Sequence, residues 1–393
     1  MGYPGFNSLL CRILIVAVPL LLCTLIEAKG NKSSSSNNDA KHRSGRLFSL
    51  FNIVRFSNDQ CITQSDRTMR GTCLSQLNCQ ERGGSADGNC ASGFGICCMF
   101  VVRTCGGTVN QNCTYVQNPS FPASDATVSQ SCNFMFNRID DNICQIRLDF
   151  DTTVLRTDPT FAGMCGGAGD SLQVGSPLSG SPFAFPPAVC GTLSGQHMYI
   201  ESSRMGTTAG SLTIQTGVSP GDRRYKIKVT YIDCQSRLRA PSGCAQYFTG
   251  QSGTLTTYNF QGNQLLRNQD YSHCIRQEEG FCQFELFETP GVIDAFSLSE
   301  NGNGQAQVQI CKNRNFVTVP SMAINPSGTR GFSDYRCGMT FSSQSGDTTP
   351  GALLSTRVTP FRVQVHTLKA DDGNQVIFAN LKGFSLDYNQ IPC

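Results

Sequence analysis

The sequence predicts an all-β protein in which a small disulfide-rich segment precedes two similar β-sandwich domains. Three observations support this prediction: 39 glycines together with only 15% charged residues, short runs of alternating polar and apolar side chains, and a cysteine pattern that occurs twice. Alternating runs separated by glycine-containing turns are typical of antiparallel sheets. Long helices are not expected.

The duplicated cysteine pattern occupies residues 105–234 and 244–393. In both copies the third cysteine begins a Cys-Gln-apolar-charged-Leu run, the fifth is followed by glycine, and the fourth and fifth are almost equally spaced. The copies contain Cys105, Cys132, Cys144, Cys165, Cys190 and Cys234, and Cys244, Cys274, Cys282, Cys311, Cys337 and Cys393. An internal repeat of this kind predicts two homologous domains.

The N-terminus has the features of a secretory signal peptide over residues 1–28. Arg12 precedes an apolar run over residues 13–26, and Ala28 supplies a small residue for cleavage. The run is too short for a spanning helix, and no second run of spanning length follows, so no membrane span is expected. We therefore expect a secreted, extracellular protein whose cysteines form disulfides rather than metal sites.

Net charge argues against one class of partner. The formal charge is +3, and the basic residues form no dense run after position 47. Because nucleic-acid surfaces are strongly basic, nucleic acid is not an expected partner.

Residues 29–60 are predicted to be a flexible linker followed by an apolar tether. Residues 29–45 are polar and include the glycosylation sequon at Asn31, whereas residues 47–56 are largely apolar. The apolar part is either a strand or tether packed on the next domain, or a segment that docks on a partner.

Residues 61–98, called the knot below, hold six cysteines in a segment too small for an ordinary hydrophobic core. They are Cys61, Cys73, Cys79, Cys90, Cys97 and Cys98. The segment has no Cys-x-x-Cys pair and no histidine, so three disulfides are a better prediction than a zinc site. Its cysteine spacing resembles the clip domain of arthropod extracellular proteins. That resemblance implies that the first cysteine bonds to the fifth, the second to the fourth, and the third to the sixth.

The repeated segments carry strand patterns. Polar and apolar residues alternate over 145–150 and 225–231, which predicts half-buried strands with Lys226 and Lys228 facing water. Phe361, Val363 and Val365 alternate with polar residues in the second copy.

Three motifs in these copies resemble the CUB domain. They are Cys-Gly-Gly from Cys105, Asn-Pro-x-Phe-Pro from Asn118, and a closing Gly-Phe-x-Leu-x-Tyr run from Gly383. The whole chain is similar to arthropod secreted CUB-domain proteins with a small cysteine-rich segment in front. The resemblance implies an antiparallel β-sandwich for each copy and a binding module without catalytic chemistry.

CUB resemblance also implies a disulfide pairing for the first copy, Cys105 with Cys132 and Cys144 with Cys165. We add Cys190 with Cys234, and repetition then predicts Cys244 with Cys274, Cys282 with Cys311, and Cys337 with Cys393. The odd cysteine is Cys113, inside the sequon at Asn112. It is a buried free thiol, a replacement partner for Cys132, or an intermolecular link that gives a disulfide-linked dimer.

No catalytic site is predicted. Gly-Asp-Ser at residues 169–171 resembles part of the nucleophile motif of trypsin-like proteases, but Leu172 and Gln173 stand where that family has glycines. None of the four histidines is in an Ala-Ala-His-Cys setting, so a serine-protease triad is not supported. His197 and His366 are expected to be strand residues rather than metal ligands.

Calcium is the cofactor that the CUB resemblance raises, because many CUB domains bind Ca²⁺ through carboxylates in their loops. Asp158 and Asp170 in the first copy, and Asp371 and Asp372 in the second, are the available acids. Neither copy has the complete set, so no cofactor is expected.

The predicted function is therefore that of a secreted, glycosylated, non-enzymatic protein whose loops bind an extracellular protein or carbohydrate. Arg223, Arg224, the loop at Tyr271, and Arg330 are candidate exposed contact residues. The alternatives are a self-associating matrix or cuticle component, or a non-catalytic cofactor of a protease cascade.

Overall fold

A computed structural model describes residues 54–178, 186–299, 304–323, 332–354, 357–369 and 378–393. The predicted signal peptide, the sequon at Asn31 and most of the apolar tether lie outside these residues. Contacts group the chain into Met1–Ile53 and Val54–Cys393, and all of the structure below belongs to the second unit. None of the helices in the described ranges is long and apolar enough to cross a membrane.

The knot is a small sheet with one short helix, and its first and last strands extend beyond residues 61–98. Its elements are β1 (Gln60–Ile62), β2 (Arg70–Leu74), α1 (Gln76–Glu81), β3 (Ser85–Cys90), a 3-10 turn (Ala91–Gly93) and β4 (Gly95–Val102). Helix α1 begins where the Ser75 hydroxyl accepts a hydrogen bond from the Asn78 N–H, which satisfies one of its free backbone donors.

Residues 105–234, the first half, form two sheets. Their strands are β5 (Thr108–Val109), β6 (Thr114–Gln117), β7 (Ser131–Asn137), β8 (Ile143–Val154), β9 (Ser171–Gly175), β10 (His197–Glu201), β11 (Thr208–Gln215) and β12 (Arg224–Asp233). One sheet has the order β5-β7-β11-β9, and the other contains β6-β12-β8-β10.

The knot and the first half share a sheet. Strand β4 pairs in parallel with β6, with Val101 opposite Tyr115, so the full order is β1-β2-β4-β6-β12-β8-β10. The boundary expected at residue 98 therefore lies inside a strand.

Residues 244–393, the second half, have the same arrangement. Their strands are β13 (Gln246–Phe248), β14 (Ser252–Thr256), β15 (Asp270–Ile275), β16 (Phe281–Glu288), β17 (Phe296–Ser297), β18 (Ala306–Val308), β19 (Phe316–Ala323), β20 (Phe332–Gly338), β21 (Leu353–Leu354), β22 (Phe361–His366) and β23 (Gly383–Pro392). Two 3-10 turns, Phe260–Gly262 and Phe378–Asn380, join them.

Strand order is the clearest sign of the repeat. The order β13-β15-β22-β19 in the second half corresponds to β5-β7-β11-β9 in the first, and β14-β23-β16-β21 corresponds to β6-β12-β8-β10. In each half one pair at the end of the first of these orders is parallel, β5 with β7 and β13 with β15. Strands β20 and β18 extend the second half beyond this common pattern.

Each half buries apolar side chains between its sheets. Phe134 and Phe136 on β7 belong to the same core as Ile146, Leu148 and Phe150 on β8, and all five are fully buried. Alternation on these strands places apolar residues inward, as the sequence predicts. The all-β, sandwich-like fold class is confirmed.

One strand residue differs from expectation. Lys226 on β12 was expected to face water, but it is 8% exposed. Its ammonium lies 3.8 Å from the Asp66 carboxylate and 3.9 Å from that of Asp151. Because Asp66 belongs to the knot, a loop of the knot lies beside Lys226 on this sheet.

Nine disulfides occur in the described residues, and five have the pairs that resemblance or repetition implied. Three are in the knot, Cys61–Cys97, Cys73–Cys90 and Cys79–Cys98. The other two join the first and second cysteine of each half, Cys105–Cys132 and Cys244–Cys274.

The other four predicted pairs are wrong. Cys144 bonds to Cys234 and Cys165 to Cys190, so the predicted Cys144–Cys165 and Cys190–Cys234 bonds are absent. The second half repeats this correction, with Cys282–Cys393 and Cys311–Cys337 in place of Cys282–Cys311 and Cys337–Cys393.

Strand pairing explains the correction. Strand β8 lies antiparallel to β12, and Cys144 is the extra residue in the register shift between the pairs Ile143–Asp233 and Gln145–Ile232, which places it beside Cys234. Strand β16 lies beside β23 in the same way, with Phe281 opposite Pro392. A disulfide needs Cα atoms within about 7 Å, and the pairs Cys144–Cys234 and Cys282–Cys393 have 4.8 and 5.0 Å.

Candidate binding cleft between the two halves

Backbone and side-chain hydrogen bonds fix the junction between the halves. The Tyr199 N–H on β10 donates to the Ala245 carbonyl at 2.8 Å, and the Tyr247 N–H donates to His197 Nε2 at 2.9 Å. The Tyr258 hydroxyl donates to the His197 carbonyl at 3.0 Å. The edge of the first half's sheet is therefore joined directly to the first strand of the second half.

Asn259 forms a second contact across the junction. Its Oδ1 accepts the Thr192 N–H at 2.7 Å, and its Nδ2 donates to the Gln264 carbonyl at 2.9 Å. A Cβ at Gly191 would lie 2.0 Å from this Oδ1, and Gly191 has φ +82°. Only glycine allows this close approach.

Two buried histidines lie in the junction core. His197 packs against Phe248 with ring centroids 5.1 Å apart, and Phe248 packs against His273 at 5.9 Å. Burial, together with the positive charge of Arg147, lowers the pKa of His197 to about 3. Burial lowers the pKa of His273 to about 3 as well. Both imidazoles are neutral at physiological pH.

A cleft opens beside this junction. It has a volume of about 280 Å³ and is lined from both halves. Its lining includes Pro187, Tyr199, Glu201, Ala245, Asp270 and Gln364, and these residues define the interhalf cleft.

Two acids give the interhalf cleft its electrostatic character. Glu201 is half-buried, its Oε1 accepts a hydrogen bond from Gln145 Nε2 at 2.8 Å, and burial raises the pKa of its carboxyl. Asp270 is exposed and accepts a hydrogen bond from Gln364 Nε2 at 2.8 Å. A cationic or amide group of a partner would offset the desolvation of Glu201.

The predicted contact residues do not form a common surface. Arg223 is 1% exposed and Tyr271 is 5% exposed, so both are wrong as exposed candidates. Arg224 is exposed on β12, and Arg330 lies outside the described residues. Tyr271 lines the interhalf cleft.

Arg223 is buried because it neutralises Asp170. Its Nε donates to both carboxylate oxygens at 2.8 and 2.9 Å. The same carboxylate accepts the Arg156 N–H at 2.7 Å and the Gly217 N–H at 2.8 Å. Asp170 therefore joins three loops through hydrogen bonds, and the guanidinium of Arg223 balances its charge.

Asp158, the other calcium candidate of the first half, is held by backbone donors. Asp158 Oδ1 accepts the Thr160 N–H at 2.7 Å and the Phe161 N–H at 3.0 Å. These backbone donors and that of Ala168 help hold the pKa of Asp158 below its usual value, against the opposing effect of burial. Asp371 and Asp372 lie outside the described residues. Within the described ranges, no group of three His, Cys, Asp or Glu residues could hold a metal ion.

The protease-like motif lies in a structural setting. Ser171 is 1% exposed, and its hydroxyl donates to Gln215 Oε1 at 3.3 Å. The preceding Asp170 is bound to Arg223. The serine thus has an amide oxygen, not an imidazole, as its hydrogen-bond acceptor.

Within the chain, Cys113 is a buried free thiol and is not a replacement partner for Cys132. Cys113 is 5% exposed, and Cys132 bonds to Cys105 instead. Burial raises the pKa of the Cys113 thiol. The neighbouring Asn112 is half-buried, and its Oδ1 accepts the N–H groups of Cys113 and Tyr231, both at 2.9 Å.

Sequence reasoning missed Glu201 and Asp270, the two acids of the interhalf cleft. They come from different copies of the repeat, and each alone resembles an ordinary acid at a strand end. Only the packing of the halves brings them to one cleft, so no motif in the sequence indicates them.

The molecule is thus an all-β, disulfide-bonded protein of the kind typical of the extracellular space. More particularly, residues 241–391 match the animal CUB domain family. This match corresponds closely to the second half.

Solved structures with CUB domains are similar to this chain at low identity. The CUB1-EGF-CUB2 domains of rat MASP-1 are 13% identical, with a TM-score of 0.24, over 74% of this chain and 99% of that one. The same domains of human MASP-1/3 are 14% identical, with a TM-score of 0.22, over 70% and 98%. The extracellular region of zebrafish Gpr126/Adgrg6 is 12% identical, with a TM-score of 0.26, over 73% and 34%. No curated protein matches the chain.

Proposed function

We propose that this chain is a secreted, non-enzymatic protein whose two CUB-like units, residues 105–234 and 244–393, together bind an extracellular protein. The match of residues 241–391 to the animal CUB domain family carries this proposal, because CUB domains are typically non-catalytic binding modules. The signal peptide over residues 1–28, the clip-like character of the knot and glycosylation at Asn31 and Asn112 belong to the same proposal.

The interhalf cleft is the proposed contact site. The hydrogen bonds across the junction hold both halves in one geometry, so a ligand in the cleft contacts both without first ordering them. Glu201 and Asp270 favour a positively charged side chain or an amide donor. A protein segment with an exposed Lys or Arg has this chemistry.

Binding to a panel of purified extracellular proteins, with a glycan array in parallel, tests the proposal. The Glu201→Gln, Asp270→Asn variant keeps the shape of the cleft and removes its charge. We expect this variant to raise the Kd for a protein ligand by about tenfold, or about 1.4 kcal/mol.

The matched control is Asp141→Asn, Glu279→Gln, which changes net charge equally at exposed acids that do not line the cleft. Equal binding by both double variants would place the site elsewhere. Binding to glycans alone would replace the protein ligand by a carbohydrate, and chemical turnover of a bound ligand would overturn the non-enzymatic assignment.

A further inference from the structure

A second cavity lies between the knot and the first half, away from the residues of the interhalf cleft. Its volume is about 620 Å³, within the range of pockets that hold small molecules. Polar side chains dominate its lining, which includes Gln60, Thr72, Arg82, Asn110, Asn112 and Asn137.

The sequon asparagine is one of the lining residues, and its amide is held in one orientation. Asn112 Oδ1 accepts two backbone N–H groups, from Cys113 and from Tyr231 on β12, both at 2.9 Å. These bonds direct Oδ1 toward the backbone. Asn112 Nδ2 makes no hydrogen bond to any described residue and is not among the buried, unpaired polar atoms. The nitrogen that a glycan modifies is therefore not fully buried and carries no hydrogen bond within the described residues.

We propose that an N-linked glycan on Asn112 occupies this cavity, with its first N-acetylglucosamine packed between the knot and the first half. This inference rests on the proposed glycosylation of Asn112 and adds where the sugar lies and what it does. The donor is a lipid diphosphate-linked oligosaccharide. A bond forms between C1 of the sugar and Asn112 Nδ2, the bond from C1 to the diphosphate oxygen breaks, and the amide loses one proton.

Transfer must precede folding of this segment. Thr114, the third residue of the sequon, is 2% exposed, and its hydroxyl donates to the Gln111 carbonyl at 2.7 Å. A transferase that reads this hydroxyl needs it free, so the glycan is attached to the unfolded chain. Folding of the knot against β6 then closes the cavity around the sugar.

The cavity lining suits a sugar. Side-chain amides offer both donors and acceptors, which matches the hydroxyl and acetamido groups of N-acetylglucosamine. Gln60 is exposed, and its Nε2 lies 3.9 Å from the Cys113 Sγ. Arg82 reaches from the knot to Gln111 Oε1 at 3.1 Å, so both walls present polar groups at the same opening.

A sugar placed here has two consequences. It contacts the knot and the first half at once, and so adds to the β4–β6 pairing that joins them. It also covers Cys113, which lines the same cavity. A covered thiol is kept from exchange with the nine disulfides found in the described residues.

The first test uses the full chain secreted from eukaryotic cells. Peptide mapping reports whether Asn112 carries a glycan, and an endoglycosidase that cuts between the first two N-acetylglucosamines is then applied to native and to denatured protein. We expect an occupied site that is cleaved at least about tenfold more slowly in the native protein, since the packed sugar must leave its cavity first.

The second test measures alkylation of Cys113 in the native state. Asn112→Asp keeps the oxygen that accepts the two N–H groups but cannot be glycosylated, and we expect its Cys113 to react about tenfold faster than in the wild type. Thr114→Ser is the matched control, since it keeps both the sequon and the hydroxyl.

The outcomes separate the two proposals. An unmodified Asn112 overturns glycosylation there and this inference with it, while the binding proposal stands. A glycan that is cleaved equally fast in native and denatured protein leaves glycosylation intact and overturns the cavity placement. The endoglycosidase result applies to the wild type, so it decides the question even if Asn112→Asp fails to fold.

Discussion

Acidification from about pH 8 to about pH 5 is expected to destabilise the junction between the two halves, because His197 and His273 are buried there as neutral rings. His197 Nε2 accepts the Tyr247 N–H and so cannot also hold a proton without losing that bond. His273 is fully buried, and neither ring nitrogen has a hydrogen-bond partner among the described residues. Their folded pKa values are about 3, below the usual 6.5.

The direction in which stability changes with pH follows from the number of protons that each state binds. A histidine whose folded pKa is depressed binds fewer protons in the folded than in the unfolded chain, so stability falls as pH drops below about 6.5 and continues to fall toward about 3. At pH 5 an unfolded imidazole is almost fully protonated, which stabilises the unfolded chain by about 2 kcal/mol for each histidine. The pair contributes about 4 kcal/mol, a large share of the 5–15 kcal/mol that typically stabilises a domain.

Equilibrium urea unfolding at several pH values measures this effect. Far-UV circular dichroism or tyrosine fluorescence is the appropriate signal, because the chain has 10 tyrosines and no tryptophan. The free energy of unfolding is expected to change by about 1.4 kcal/mol per pH unit for each histidine near pH 5.

His273→Phe keeps an aromatic ring in contact with Phe248 and Phe384 and removes one titrating group. We expect its pH slope to be smaller than that of the wild type by the contribution of one proton. Comparison with the wild type cancels the carboxylates that titrate in the same range. An unchanged slope in His273→Phe would refute the assignment of a buried neutral imidazole.

Three further outcomes are expected. Asp170→Asn leaves the guanidinium of Arg223 buried without its countercharge, so the free energy of unfolding should fall by about 3–5 kcal/mol in a urea titration; an effect below 1 kcal/mol would contradict the burial of the pair. Asn259→Asp should lower the Tm of thermal unfolding less than Asn259→Ala does, because of the two replacements only the carboxylate keeps an acceptor for the Thr192 N–H. Cys113→Ser should migrate as a monomer on non-reducing gels like the wild type, and a wild-type dimer that this variant abolishes would show that Cys113 is accessible.

Most of the fold prediction came from the alternation of polar and apolar residues and from the repeated order of cysteines. Strands β8, β12, β22 and β23 all include segments with alternating or family-like patterns, because a strand with one buried face must alternate. The duplicated cysteine order also corresponds to a duplicated strand order. These features are local or periodic, so they can be read without knowledge of which strands are neighbours.

Disulfide pairing depends on neighbours and was therefore only partly predictable. Cys144 and Cys234 are 90 positions apart and become adjacent only because β8 pairs with β12. The knot differs because a family resemblance supplied its arrangement; short separation alone was no guide, since Cys165 and Cys190 are 25 positions apart and were paired wrongly.

The burial of charged residues was the feature least predictable from the sequence. Arg223 and Lys226 read as surface residues because charges are rarely buried without partners. Their partners, Asp170 and Asp66, come from a loop of the first half and from the knot. No spacing rule connects residues so far apart in sequence.

The two halves share their strand order, although the family match covers only the second half. Residues 241–391 match the family, and residues 105–234 have the same sheet order and the same three disulfide connections without that match. A fold held by cross-strand cysteines and an alternating core tolerates extensive change in its loops.

The larger sheet of the first half contacts other parts of the chain at both of its edges, β6 and β10. Strand β4 of the knot pairs beyond β6, and the Tyr199–Ala245 bond joins β10 to the second half. Exposed sheet edges invite pairing with other chains. Because both edges make contacts within the chain, we expect little pairing of this sheet with other chains, and the proposed interhalf cleft and Asn112 cavity lie near these two contacts.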